Sequence, residues 1–169
     1  MGPKLAALIA TCAPQVHPTT MYALIAVESA GNPYAISINY PTALAGSGVD
    51  LPEVAQPRSV NDALHLIWIL QASGLTVSVG LSQINAEHLK RWHVPVTALL
   101  DPCTNLRLAQ RVLLDCQADI PQRGESLAAL LSCFNSGNGT TGIANGYAAR
   151  VYAAAVRLTH SPQPRRAVP

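Results

Sequence analysis

Of the nine acidic side chains in this sequence, one sits where a carboxylate is least at home. Met21, Leu24, Ile25 and Glu28 fall at i, i+3, i+4 and i+7, the spacing that brings side chains onto one face of a helix. A carboxylate on an apolar stripe is costly to ionise. Its pKa should rise unless a partner compensates, and a carboxyl group with a raised pKa is a competent general acid near neutral pH. The same spacing also suits a Glu paired with an interior Arg, or one at a helix end facing water. Glu53, Glu87 and Glu125 each fall in or beside a loop or helix start, where solvated acids are common. Asp50, on a long loop, is the remaining candidate for a second reactive carboxylate.

Other chemistries find less support. Cys12, Cys103, Cys116 and Cys133 include no CxxC pair and have no His at zinc-ligand spacing, which argues against a metal site. An even count permits two disulfides in an oxidising compartment, with three pairings open. Buried thiols on apolar helix faces are the alternative. Basic residues are scattered singly apart from Lys90-Arg91 and Arg165-Arg166, so no stripe for nucleic acid is present. A net charge of +2 suits an anionic polymer and many other partners equally.

The elements that must carry Glu28 are mostly helical. A first helix runs from Lys4 to Cys12 and ends at Pro14. The stretch from Lys4 to Cys12 imitates a signal peptide, with one Lys and then the apolar run Leu5 to Ala10, but six apolar residues fall short of the usual h-region of about 7 to 15, so it reads as the first helix of a mature domain. An export signal would then have been removed, or export takes another route. The helix bearing Glu28 starts near His17-Pro18-Thr19-Thr20 and stops at Ala30-Gly31-Asn32-Pro33.

From Ile36 to Pro57 the sequence is rich in Gly, Pro, Ser and Asn and reads as a long loop. Ser59 and Asp62 resemble a capping box before a helix closed by Gly74, and Leu75 to Val79 alternates as a short strand, the one convincing β element. A short helix from Ala86 to Trp92 and a longer one opened by Asp101-Pro102 follow, the latter interrupted at Pro121. Leu127, Leu130, Leu131 and Phe134 mark a further helix, Asn135 to Gly142 a flexible run, and Ala144 to Leu158 a last helix. With 169 residues, 49% apolar and 12% charged, the chain suits one globular domain over 1–160, with a Pro- and Arg-rich disordered tail over 161–169. Nothing approaches the roughly 18 apolar residues of a membrane span.

Four segments then stand in a familiar order: Val27-Glu28-Ser29-Ala30-Gly31-Asn32-Pro33, Gly80-Leu81-Ser82-Gln83-Ile84-Asn85, Phe134-Asn135-Ser136-Gly137, and Gly146-Tyr147-Ala148-Ala149-Arg150-Val151-Tyr152. From about Leu5 to Arg157 the chain resembles the soluble lytic transglycosylase superfamily, most closely the branch that accompanies type IV secretion and conjugation systems. The long loop and Leu100-Asp101-Pro102-Cys103-Thr104-Asn105-Leu106 also look like that branch.

The resemblance implies a mainly helical, lysozyme-like α+β fold with one small β element and a groove for a glycan strand. It implies peptidoglycan as partner, with type IV secretion components besides, a periplasmic location and no cofactor. In that family the Glu matching Glu28 protonates the bond between N-acetylmuramic acid and N-acetylglucosamine. It then draws the proton from the sugar's own C6 hydroxyl, which closes a 1,6-anhydro ring without water. One carboxylate then suffices where ordinary glycosidases use two.

Gln83 and Asn85 are expected to present amides to the sugar, although both also suit turn and cap chemistry. Asn135 and Tyr147 should line the groove near the acid, while Tyr152, on another helical face, suits the core. Many relatives carry Tyr where this chain has Phe134, and Met where it has Ser82, so Ser82 is expected to offer the sugar a polar contact. The resemblance also suggests Cys12 with Cys103, and Cys116 with Cys133. A goose-type lysozyme or endolysin that delivers water, and a non-catalytic peptidoglycan-binding assembly module, are the competing readings.

Overall fold

The computed structural model describes residues 2–40, 54–120 and 126–160. Asp50, Glu53, Glu125, the break at Pro121 and the tail from Ser161 lie outside the described residues. Helix α1 spans Pro3–Cys12, and α2 spans Pro18–Glu28, with Pro18 in its first turn and His17 Nδ1 accepting from the Thr19 amide at 3.3 Å. Ala30 at φ +52° and Gly31 at φ +85° then turn the chain away, so Glu28 is the last residue of its helix.

A strand β1, Ile36–Asn39, follows directly, where the sequence suggests loop. Its four residues alternate apolar and polar. That signal is too short to stand out beside a stretch rich in Gly and Pro, and antiparallel pairing to β2 (Thr76–Val79) is what makes it a strand. A two-residue strand β3, Ile84–Asn85, pairs on the other side of β2, giving a three-stranded sheet in the order β1-β2-β3. The single β element expected from sequence is thus the middle strand of three. Between β1 and β2 runs α3, Val60–Ala72, capped by Ser59 Oγ, which accepts from the Asp62 amide at 3.2 Å.

After β3 come α4 (Ala86–Lys90), a 3₁₀ turn (Val96–Leu100) and α5 (Pro102–Asp119). Helix α5 is the spine of the molecule. It buries Leu106, Ala109, Val112 and Leu113 along one face and is tied at both ends: Cys103 is bonded to Cys12 of α1, and Cys116 to Cys133 of α6 (Leu127–Ser136). Both pairings are those the resemblance suggests.

The run from Asn135 is more organised than its Gly content implies. Gly137 closes α6 at φ +75°, Asn138 Oδ1 accepts from the Thr140 and Thr141 amides, and a short helix α7 forms over Thr141–Ala144. Ser132 Oγ accepts from the Gly142 amide at 2.8 Å, and a Cβ at Gly142 would stand 2.6 Å from the Ser132 Cα, so glycine there is a requirement of close packing.

Helix α8, Tyr147–His160, lies along α2. Its buried residues Tyr147, Val151 and Ala154 recur at i, i+4 and i+7 and face the helix that carries Glu28. The result is a mainly helical, lysozyme-like architecture in which the sheet forms one wall and the helices the other. No described helix is long and apolar enough to cross a membrane.

Candidate active site

Glu28 stands where two cavities meet. The larger, about 430 Å³, lies between the sheet, the middle of α5 and the end of α6; the second, about 330 Å³, lies between the end of α2 and β1. The sheet explains the character of the larger one. Ser37 of β1 lies opposite Ser78 of β2, which lies opposite Asn85 of β3, so a polar row crosses all three strands on one face. The row Ile36, Val79 and Ile84 occupies the other face and is buried in the core. Ser37, Asn39, Ser78 and Asn85 therefore line the cavity, facing Glu28, Phe134 and Asn135 on the helical side. In neither cavity does a described residue other than Glu28 contribute a carboxylate.

Burial raises the pKa of Glu28 to about 7, against the opposing pull of a hydrogen bond from Tyr147 and of the Arg150 guanidinium. Its place at the C-terminal end of α2, where helix carbonyls point their negative ends, works in the same direction as burial. Tyr147 donates its hydroxyl to Glu28 Oε1 across 119 residues of sequence. The phenol is itself buried beside a carboxylate that accepts from it, and both effects push its pKa up, so it stays a donor throughout. With Oε1 occupied, the acid proton belongs on Oε2. Arg150 sits three residues on in the same helix, its guanidinium 5.7 Å from the Tyr147 ring, and attracts the ionised form of Glu28.

Replacing Tyr147 by Phe removes a donor that favours the ionised carboxylate. The alkaline limb of the pH–rate profile should move upward by about one pH unit. An unmoved limb would mean that the phenol does not set the acidity.

The other sequence-predicted residues divide. Asn135 lines the larger cavity and is held by Asn145, whose Nδ2 donates to its Oδ1 at 3.1 Å. Asn85 also lines it, yet its Oδ1 caps α4 by accepting from the Glu87 amide at 2.9 Å, so one amide serves both cap and cavity. Gln83 touches both cavities, but its amide is largely spent inside the protein. Nε2 donates to the carbonyls of Ala35 and Gly80, and Oε1 accepts from Ser37. It holds β1 against the turn before β3, at a strained φ of +47°. Tyr147 lies beneath the cavity surface, 2% exposed, and reaches the acid from inside. Tyr152, expected in the core, is 41% exposed, because it lies on the outer side of α8.

Ser82 is a correction. It is fully buried, lines neither cavity, and its hydroxyl has no hydrogen-bond partner among the described residues. The turn from Gly80 points this side chain into the core. Ser82→Ala removes an unpaired buried hydroxyl and should raise stability by about 1 kcal/mol in a denaturant titration. A loss of stability would show that the hydroxyl is paired.

Several residues were not foreseen. Ser37, Asn39 and Ser78 were hidden because the polar row exists only once three strands are in register. Ser29, directly after the acid, donates to the Leu81 carbonyl at 2.8 Å and fastens the end of α2 to the Gly80–Asn85 segment. Arg150 had a local signal, its i+3 spacing from Tyr147.

The family described as Transglycosylase SLT domain matches residues 6–155. The type IV secretion system protein VirB1 of Brucella abortus is 35% identical over 136 residues, covering 78% of this chain and 53% of that protein. Protein VirB1 of Agrobacterium fabrum is 31% identical over 150 residues, covering 87% of this chain and 57% of that protein. The chain thus spans about half the length of the curated relatives it matches. No solved structure matches it. With a match that takes in the acid, the sheet turn, the end of α6 and the Tyr147 helix, the chain belongs to the transglycosylase SLT domain family.

Proposed function

We propose that this protein is a peptidoglycan lytic transglycosylase that cleaves the β-1,4 bond between N-acetylmuramic acid and N-acetylglucosamine and leaves a 1,6-anhydro end. The observation that carries the reading is a single carboxyl group, with a pKa of about 7, at the junction of two cavities whose described walls are otherwise free of carboxylates. A glycosidase that uses water or a covalent intermediate needs a second carboxylate about 5 to 10 Å away. An intramolecular hydroxyl removes that need.

In this reading Glu28 Oε2 gives its proton to the glycosidic oxygen as the bond to the anomeric carbon breaks. The C6 hydroxyl of the same sugar bonds to that carbon and returns its proton to the Glu28 carboxylate. One proton leaves and one arrives, so the acid is regenerated without water. A pKa near 7 serves both halves, since the group must hold a proton in the first and accept one in the second. Tyr147 keeps the carboxyl oriented, and Arg150 steadies its ionised form. The names of the VirB1 relatives support a place beside a type IV secretion apparatus, where such cleavage opens the wall locally in the periplasm.

Mass spectrometry of fragments released from purified peptidoglycan tests the reading, with Glu28→Gln as control. Expected are 1,6-anhydro fragments that disappear with the substitution. Reducing ends in their place, each heavier by one water, would make the protein a hydrolase. Binding without release by the unsubstituted protein would make it an assembly module.

A further inference from the structure

Where α4 meets α5, the larger cavity is flanked by a cluster whose charge the acid chemistry does not use. His88 lines that cavity together with Glu28. Its ring stacks on Trp92 with centroids 6.0 Å apart, and its Nδ1 lies 3.2 Å from an Arg91 guanidinium nitrogen. Arg91 and Arg111 both set their guanidinium carbons over the Trp92 indole, at 4.8 and 4.9 Å. Arg111 joins the cluster through the Trp92 ring that it shares with Arg91, and His88, stacked on that ring, is the member that lines the cavity. Among the described residues one carboxylate answers these two guanidiniums, Asp115 at 3.6 Å from Arg91, while the nearby Lys90 is paired with Glu87 at 2.6 Å. Among the described residues the cluster is therefore positive overall, and it reaches the cavity, whose sheet wall is neutral, through His88.

The indole fixes what that charge can recognise. A guanidinium lying against an aromatic face uses its flat side for the ring and leaves its in-plane N–H donors to other partners. Arg91 spends its own on His88 Nδ1 and Asp115, so among the described residues the open fork is that of Arg111. Such a fork matches the two oxygens of a carboxylate. Burial and the Arg91 charge hold the His88 imidazole below its usual pKa, so it faces the cavity as a neutral polar group and leaves the positive charge to the arginines.

We propose that Arg111, held on Trp92 beside Arg91 and His88, binds a carboxylate of the peptide stem that branches from N-acetylmuramic acid. The proposal rests on the peptidoglycan reading above and names the part of that substrate the groove selects. The stem leaves the sugar backbone sideways, and a basic cluster beside the acid-bearing cavity meets it while the polar row of the sheet meets the sugars.

The test compares two preparations of stem-bearing glycan strands, one with free stem carboxylates and one amidated with ammonia, so that sugar and stem length are the same. Binding is measured at low salt with the Glu28→Gln protein, which keeps the strands intact, and with Arg111→Gln and Arg111→Glu added to it. Arg111 is exposed, so both substitutions should fold. Free-carboxylate strands should bind about three- to fivefold more tightly than amidated ones, the gain expected from exposed charge pairing. That ratio should fall to near one with Arg111→Gln and below one with Arg111→Glu. Equal binding of the two preparations while Arg111 is present, or a ratio indifferent to both substitutions, would overturn the proposal and leave peptidoglycan as substrate, with an acidic protein as the cluster's partner. Binding of neither preparation would overturn it together with the peptidoglycan reading.

Discussion

Glu28→Gln should lower turnover of peptidoglycan by about a thousandfold, the middle of the range for losing a positioned general acid. The amide keeps an oxygen to accept from Tyr147 and nearly the same volume, so the loss reports the missing proton and not a collapsed site. The same substitution should make the protein more stable at alkaline pH. Glu28 holds its proton up to about pH 7 in the folded chain, against 4.5 for an ordinary glutamate. Between those values the unfolded chain has released a proton that the native state retains, so rising pH favours unfolding across that window. Below pH 4.5 the group is neutral in both states and carries no penalty. Above pH 7 the penalty is complete, about 3 kcal/mol at most. Thermal melts should therefore place Glu28→Gln well above the unsubstituted protein at pH 8 and close to it at pH 4. Identical melts at both values would mean that the carboxyl is not held in a desolvated site.

Asn105→Ala should cost about 4 kcal/mol and disable the site in whatever folded protein remains. Asn105 is fully buried in α5 and spends its amide on three segments. Nδ2 donates to the carbonyls of Val79 at 2.8 Å and Leu99 at 3.1 Å, and Oδ1 accepts from the Ser82 amide at 2.9 Å. These bonds hold the turn that carries Gln83 and Asn85 to the cavities. Truncation leaves a buried N–H without its acceptor and two carbonyls without this donor, at about 1 to 3 kcal/mol for each group left unpaired. The approach is so close that a Cβ at Gly80 would lie 2.2 Å from Asn105 Nδ2 and 2.7 Å from the Leu99 carbonyl, at a φ of +85°. Gly80→Ala should thus fail for the complementary reason, combining a steric clash with backbone strain. Urea titration measures both, and a cost below 1 kcal/mol for Asn105→Ala would remove the residue from this role.

Both predictions concern residues that the sequence displayed, yet in different ways. Glu28 was legible because its signal is local: four residues over two helical turns set it on the apolar face, and neighbouring Pro and Gly mark where the helix starts and stops. The helices bounded by Ser59 and Asp101 were legible for the same reason, since each cap is a contact across three residues. Asn105 appeared only as one letter in a recognisable segment, and two of its three partners, Ser82 in the turn and Val79 in β2, lie 23 and 26 residues away.

What the sequence by itself determined, then, was a helical domain with one acid on an apolar stripe, and the segments through which that acid resembles a family. The tertiary structure alone decided the acid's surroundings. Tyr147 reaches Glu28 only because α8 lies along α2, Ser37 joins Ser78 and Asn85 only in register, and Ser82 turns inward while Gln83 spends its amide on the chain itself. The physical reason is range. Periodicity and capping act within a turn or two and are written in adjacent letters. The pKa of a carboxyl group and the polarity of a cavity come from groups brought together across a hundred residues, and they exist only once the core has packed.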